Sequence, residues 1–91
     1  MQLLFSEHAR RRMLQRNIRA SEIERMLLKA ETIEEYPDDQ PYPSRLVLGY
    51  VEGRPLHAVT ADLPDGSGTV VITVYQPEPQ LWDPTLKRRM E

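Results

Sequence analysis

His8, Arg12 and Arg16 recur every fourth residue in the stretch HARRRMLQRNIR, residues 8–19, which holds one of only two histidines and five arginines without a single acid. On a helix that spacing sets the three side chains in one ridge. An imidazole beside two guanidiniums has a defined chemistry. The planar forks match the oxygens of a phosphate, and the imidazole exchanges a proton near neutral pH. The apolar ridge Phe5, Ala9, Met13 has the same spacing and lies roughly 60° around the helix. The His–Arg ridge therefore sits half-sheltered on the shoulder of the buried face, with Arg10 and Arg11 turned to solvent. A structural role remains open for the same residues, with arginine stems snorkelling over the core and His8 packed near the helix start.

The second histidine, His57, lies in RPLHAVTA. Strand alternation sends His57, Val59 and Ala61 to one face and Leu56, Ala58 and Thr60 to the other. Taken alone, such a residue is more simply a hydrogen-bonded core histidine than a site residue. Thr73 and Tyr75 share a face of the β-prone run TVVITVY, with Tyr75 at its end, where packing is the commoner role. Together the set fits metal-free RNA cleavage. That reaction needs an acceptor for the 2′-hydroxyl proton, a donor for the leaving 5′-oxygen and fixed positive charge for the phosphorane. His8, in the first helical turn beside Arg12, is disfavoured as an imidazolium and takes the base role, leaving the acid role to His57 or Tyr75. Arg12 and Arg16 clamp the phosphate. Two such groups predict a bell-shaped rate profile between roughly pH 5 and 8.

No metal and no cofactor is expected. Two histidines without a carboxylate at ligand spacing on the same element make a weak metal site. Gly-rich phosphate loops, serine nucleophile elbows and dinucleotide fingerprints are missing from the sequence. With no cysteine among 91 residues, disulfides and thiolate chemistry are excluded. The net charge of −2 argues against a general nucleic-acid coat protein. The charge is unevenly spread, because residues 20–42 carry Glu22, Glu24, Glu31, Glu34, Glu35, Asp38 and Asp39 against only Arg25 and Lys29. A surface with one cationic face follows, or a merely solvated fold. MQLLFSEH lacks the apolar core of a signal peptide and no run approaches membrane-spanning length, so a cytoplasmic location and no membrane partner are expected.

The elements that must position these residues fit one domain, 1–91. Ser6 is a good N-cap for a helix to about Arg16, Asn17 suits the left-handed position after it, and Ile18 folds back on Met13. Ser21 with Glu24 reads as the capping box of a second helix, whose Ile23, Met26, Leu27 and Ala30 line one face. Residues 6–29 thus form a helical hairpin. ETIEEY is an edge strand, and Pro37, Pro41 and Pro43 break regularity after it. RLVLGYV, the turn Glu52-Gly53, RPLHAVTA, the turn LPDGSG and TVVITVY follow, giving an antiparallel sheet over 31–76. Residues 77–91 are a C-terminal tail ending in a short basic stretch or a final helical turn. The expected fold class is α+β, two N-terminal helices packed on one face of a three- to four-stranded antiparallel sheet.

The pieces FSEHARRRMLQRNIRASEIERML, ETIEEYPDDQPYPSRLVLG, RPLHAV and VVITVYQPEPQLWDPTLKRR resemble the bacterial "domain of unknown function 4258" family over nearly the whole chain. That family is similar to the barnase, colicin and RelE-type ribonuclease superfamily, many of whose members are toxins of toxin–antitoxin pairs. The resemblance implies an mRNA-interferase-like endoribonuclease. Its partners would be RNA, free or as ribosome-bound mRNA, and a cognate antitoxin protein. It marks His8, Arg12, Arg16, His57, Thr73 and Tyr75 as site positions and draws in Ser44 and Arg45. The net acidity departs from the basic character of such toxins and keeps a second class open, a non-catalytic domain that binds a protein or RNA partner.

Overall fold

The computed structural model describes residues 2–90. The chain order is β1 (Gln2–Phe5), α1 (Glu7–Arg16), α2 (Ala20–Leu28), β2 (Glu31–Tyr36), β3 (Ser44–Val51), β4 (Arg54–Asp62) and β5 (Gly68–Tyr75). The strands form one sheet in the order β1-β5-β4-β3-β2. The class is α+β with two helices, as expected, but the sheet has five strands and is mixed. β2 to β5 form the antiparallel meander, and β1 adds in parallel to β5, with Gln2 opposite Gly68 and Phe5 opposite Val71. Four residues are too few to show an alternation, and the partner that satisfies their backbone lies at the far end of the chain, which is why QLLF does not read as a strand.

Ser6 joins β1 to α1. Its side chain accepts from the Ala9 N–H at 3.0 Å, as an N-cap does, and donates to Ile72 O at 2.6 Å, while its own N–H reaches Val71 O at 3.0 Å. The start of α1 is thereby fastened to the outer edge of β5. Asn17 ends α1 in the left-handed conformation, with the Ile18 N–H on Met13 O at 2.8 Å. The second helix starts two residues earlier than its Ser21-Glu24 pattern suggests. Glu22 accepts from the Arg19 N–H at 2.9 Å, so the N-cap is Arg19, with only the carboxylate half of a capping box, and Ser21 falls inside the helix.

Both helices lie against one face of the sheet. Ala9, Ile23 and Met26 pack there with Val47, Val51, Leu56, Ala58, Val71 and Val74, flanked by Phe5, Met13 and Leu27. The sheet comes so close to α2 that a Cβ at Gly49 would meet Met26 O at 2.8 Å. Glu52 and Gly53 both take positive φ in the β3–β4 turn, the geometry that two-residue hairpins require.

Residues 76–90 are not a loose tail but a folded cap without a helix. Trp82 bridges to Arg89, the Met90 N–H donates to Leu81 O at 2.8 Å, and the Asp83 N–H donates to Arg88 O at 2.8 Å. Lys87 ties the cap to β2 through Glu31 at 3.0 Å. It covers part of the sheet face opposite the helices, where it meets His57. No helix among the described residues is long and apolar enough to cross a membrane.

A candidate active-site groove beside a buried histidine–tyrosine pair

β1 pairs with β5 only as far as Val71, so on that edge the last residues of β5 pass alongside α1, while their other edge stays paired with β4. Arg12 and Arg16, one turn apart on α1, face this stretch. With Thr73, Tyr75, Gln76, Glu78, Leu81 and Trp82 they line a groove of about 350 Å³. Helical spacing brings the two guanidiniums to one wall, and strand alternation brings Thr73 and Tyr75 to the other. Four residues singled out from the sequence therefore share one groove: Arg12, Arg16, Thr73 and Tyr75.

His57 stands directly behind it. In the β4–β5 register His57 pairs with Tyr75, so the two side chains lie side by side on the face away from the helices. The imidazole is fully buried, with Nδ1 3.2 Å from Tyr75 Oη and Nε2 2.8 Å from Leu86 O. Trp82 meets the ring edge-on, with centroids 4.4 Å apart, and the Arg89 guanidinium lies 5.3 Å from the Trp82 centroid. A carbonyl only accepts, so the contact to Leu86 puts the proton on Nε2, and Tyr75 donates to the bare Nδ1. Burial pushes the His57 pKa down from 6.5, against smaller opposing effects of the Leu86 carbonyl and Glu34. Burial also pushes the Tyr75 phenol up from 10, partly offset by Arg89. At neutral pH both groups are uncharged, a phenol and an imidazole sharing one hydrogen bond.

Three other candidates stand elsewhere. His8 is exposed in the first turn of α1 and is not among the described residues lining the groove. It shares the ridge of Arg12, but roughly 6 Å back along the axis. Arg45 lies on the helix side of the sheet, where it lines a separate cleft with Thr60, Asp62 and Thr69. Its guanidinium holds both oxygens of Asp62, at 3.1 and 3.3 Å, and Asp62 is lowered below its ordinary pKa first by that contact and then by Thr69. Ser44 donates to Asp39 at 2.6 Å and pins the Pro-rich loop.

Two further residues, Trp82 in the groove and Leu86 behind it, take part without having been singled out by the motifs. Trp82 is the only tryptophan, set among prolines; a lone large apolar residue in such a segment must find a surface to cover, and that was a usable signal. Leu86 contributes a backbone carbonyl, for which a sequence carries no sign.

The chain belongs to the family described as Domain of unknown function (DUF4258), whose profile matches residues 5–76. No curated protein and no solved structure matches it. The family match takes in both helices and the whole sheet beyond β1, Tyr75 included, and ends at the first residue of the cap, short of Trp82 and Leu86.

Proposed function

We propose that the protein is an RNA-directed endoribonuclease of the mRNA-interferase-like toxin type, working without a metal and acting at the groove between α1 and the end of β5. The observation that carries this reading is the convergence of Arg12, Arg16 and Tyr75 on one groove, with Tyr75 hydrogen-bonded to a buried neutral imidazole. Arg12 and Arg16 hold the scissile phosphate and stabilise charge on the phosphorane. Tyr75 Oη takes the proton of the 2′-hydroxyl while passing its own to His57 Nδ1. The imidazolium so formed donates to Tyr75 Oη and Leu86 O. The 2′-oxygen attacks phosphorus, the bond to the 5′-oxygen breaks as that oxygen takes a proton from solvent, His57 returns its proton to solvent through Tyr75, and the product ends in a 2′,3′-cyclic phosphate. This moves the base role from His8 to the Tyr75–His57 pair. The partners are RNA, free or on the ribosome, and a cognate antitoxin that covers the groove.

The test is incubation of RNA, free and ribosome-bound, with the purified protein in excess EDTA, reading end groups. Cyclic phosphate ends that disappear in Tyr75→Phe support the reading; 5′-phosphate ends or loss of cleavage on chelation overturn it. A second reading has its own observation. His57 is sealed from solvent and His8 is outside the groove lining, as in a domain that binds RNA or a protein partner without cutting. RNA binding that needs Arg12 and Arg16, with no cleavage of any RNA offered, selects it.

A further inference from the structure

We infer that the C-terminal cap is a positioning element that decides the direction of the Tyr75 proton: the Leu86 carbonyl locks His57 as its Nε2–H tautomer and so makes Tyr75 an acceptor toward the groove. The functional consequence rests on the ribonuclease reading, but the lock itself does not. A neutral imidazole carries one N–H. With Nε2–H committed to Leu86 O at 2.8 Å, Nδ1 is bare, and its partner among the described residues is the Tyr75 hydroxyl at 3.2 Å, which must donate inward. The lone pairs of Oη are then what the phenol offers a substrate hydroxyl. In the other tautomer Nδ1–H would donate to Oη, and Tyr75 would turn its proton outward as an acid. One backbone carbonyl thus separates base from acid at the same oxygen.

The cap is built to hold that carbonyl. Leu86 takes φ +63°, a left-handed conformation that a bulky side chain seldom adopts and that persists only where the surroundings impose it. They do so here through one turn. The Leu86 N–H donates to Asp83 O at 2.8 Å, and Asp83 Oδ1 accepts from Thr85 Oγ1 at 2.7 Å and from the Lys87 N–H at 3.2 Å. Trp82 closes over the imidazole on one side and Lys87 anchors the turn to Glu31 on the other. The cap residues among these, Trp82, Asp83, Thr85, Leu86 and Lys87, all lie beyond the span that the family match covers.

The experiment reads the imidazole nitrogens by NMR of the full chain labelled at histidine, in a His8→Ala background that leaves His57 alone. At pH 7.5 the expected form is Nε2–H. Leu86→Pro forbids the left-handed φ and removes the N–H held by Asp83, and should lower the Nε2–H to Nδ1–H ratio about tenfold, the size of one hydrogen bond. Leu86→Gly keeps the carbonyl and adopts the same φ freely, and should leave the ratio unchanged. Asp83→Ala, which frees the turn without touching the sheet, should fall between and serves if Leu86→Pro does not fold. An Nδ1–H signal in the parent protein, or a ratio that ignores both Leu86→Pro and Asp83→Ala, overturns the inference. A confirmed lock in a protein that cuts no RNA would strike the ribonuclease reading alone.

Discussion

The two faces of the sheet bury their side chains for different ends. On the helix face, Val47, Leu56, Ala58, Val71 and Val74 meet Ile23 and Met26, and the face is closed by the two longest elements outside the sheet. On the opposite face, the short cap of residues 76–90 encloses an imidazole, a phenol and an indole, each polar tip a desolvation cost that an apolar side chain would avoid. The first face is what a fold of this size needs in order to stand; the second is hard to justify by stability. A buried polar pair opening onto a groove with two arginines is where chemistry is most economically sought. The comparison predicts that substitutions on the helix face act on stability and those around the groove act on function.

The largest effect should come from the groove. Tyr75→Phe removes one hydroxyl while keeping the ring against His57, and should lower RNA cleavage by about 10² to 10⁴, the range for loss of a proton-transfer group. The joint variant Arg12→Ala, Arg16→Ala should lose RNA binding and flatten its salt dependence, by about 0.7 per lost phosphate contact in the slope of log K against log salt for a single strand. Both variants should melt close to the parent temperature. If either instead unfolds the protein without a specific loss of RNA binding or cleavage, the division between the faces fails.

The helix face should respond in the opposite way. Gly49→Ala places a methyl 2.8 Å from Met26 O and 3.0 Å from its Cβ, and the backbone of α2 cannot retreat without opening the core. The expected cost is about 1–3 kcal/mol by chemical denaturation, with RNA binding unchanged at temperatures where the variant is folded.

Between these lies a pH effect that only the second face should produce. His57 is held below its ordinary 6.5 by burial, so as pH falls through about 6.5 the unfolded chain takes up a proton before the folded one does. Stability is therefore full above 6.5, falls as pH drops toward the folded-state value, and levels off below it. The denaturation midpoint should fall between pH 8 and pH 5 in the parent and fall less in His57→Gln. Activity should follow the neutral imidazole, its acid limb lying below 6.5, and the alkaline limb set by Tyr75 should lie above 10. The profile proposed for the Tyr75–His57 pair is thus a broad plateau, to be distinguished by measurement from the bell between roughly pH 5 and 8 that the sequence-based assignment expects.

The meander and both helices were legible because their periods are written in consecutive residues: Ile23, Met26 and Leu27 in α2, and the alternations of β3, β4 and β5 between turn residues. β1 was not, because its hydrogen bonds come from Gly68–Val71 across the length of the chain. In the groove, Arg12 and Arg16 were legible from spacing, and Thr73 and Tyr75 from alternation. The pairing of His57 with Tyr75 depends on the β4–β5 register, which includes a shift between Val59 and Thr60 that no pattern announces. Arg45 was misdirected by the same property of strands: its place beside Ser44 fixes its face, and the face is the one the helices cover.

The smallest effect, and the one that most sharply tests which histidine matters, is His8→Ala. Spacing alone puts His8 in register with Arg12 and Arg16, and a ridge that acted as a unit would lose its base with this substitution. The groove, however, lies beside the C-terminal half of α1, and His8 stands exposed in the first turn, next to the N-cap Ser6. Alanine there is compatible with the helix, and the cap contacts are made by Ser6 and not by the imidazole. Stability should change by no more than about 0.5 kcal/mol, as for ordinary surface positions. Cleavage should fall by less than about threefold, while His57→Gln should fall by 10² or more if the imidazole is the final proton acceptor. A His8→Ala variant as inactive as Tyr75→Phe would return the base role to the helix and leave His57 as a core residue that merely steadies Tyr75.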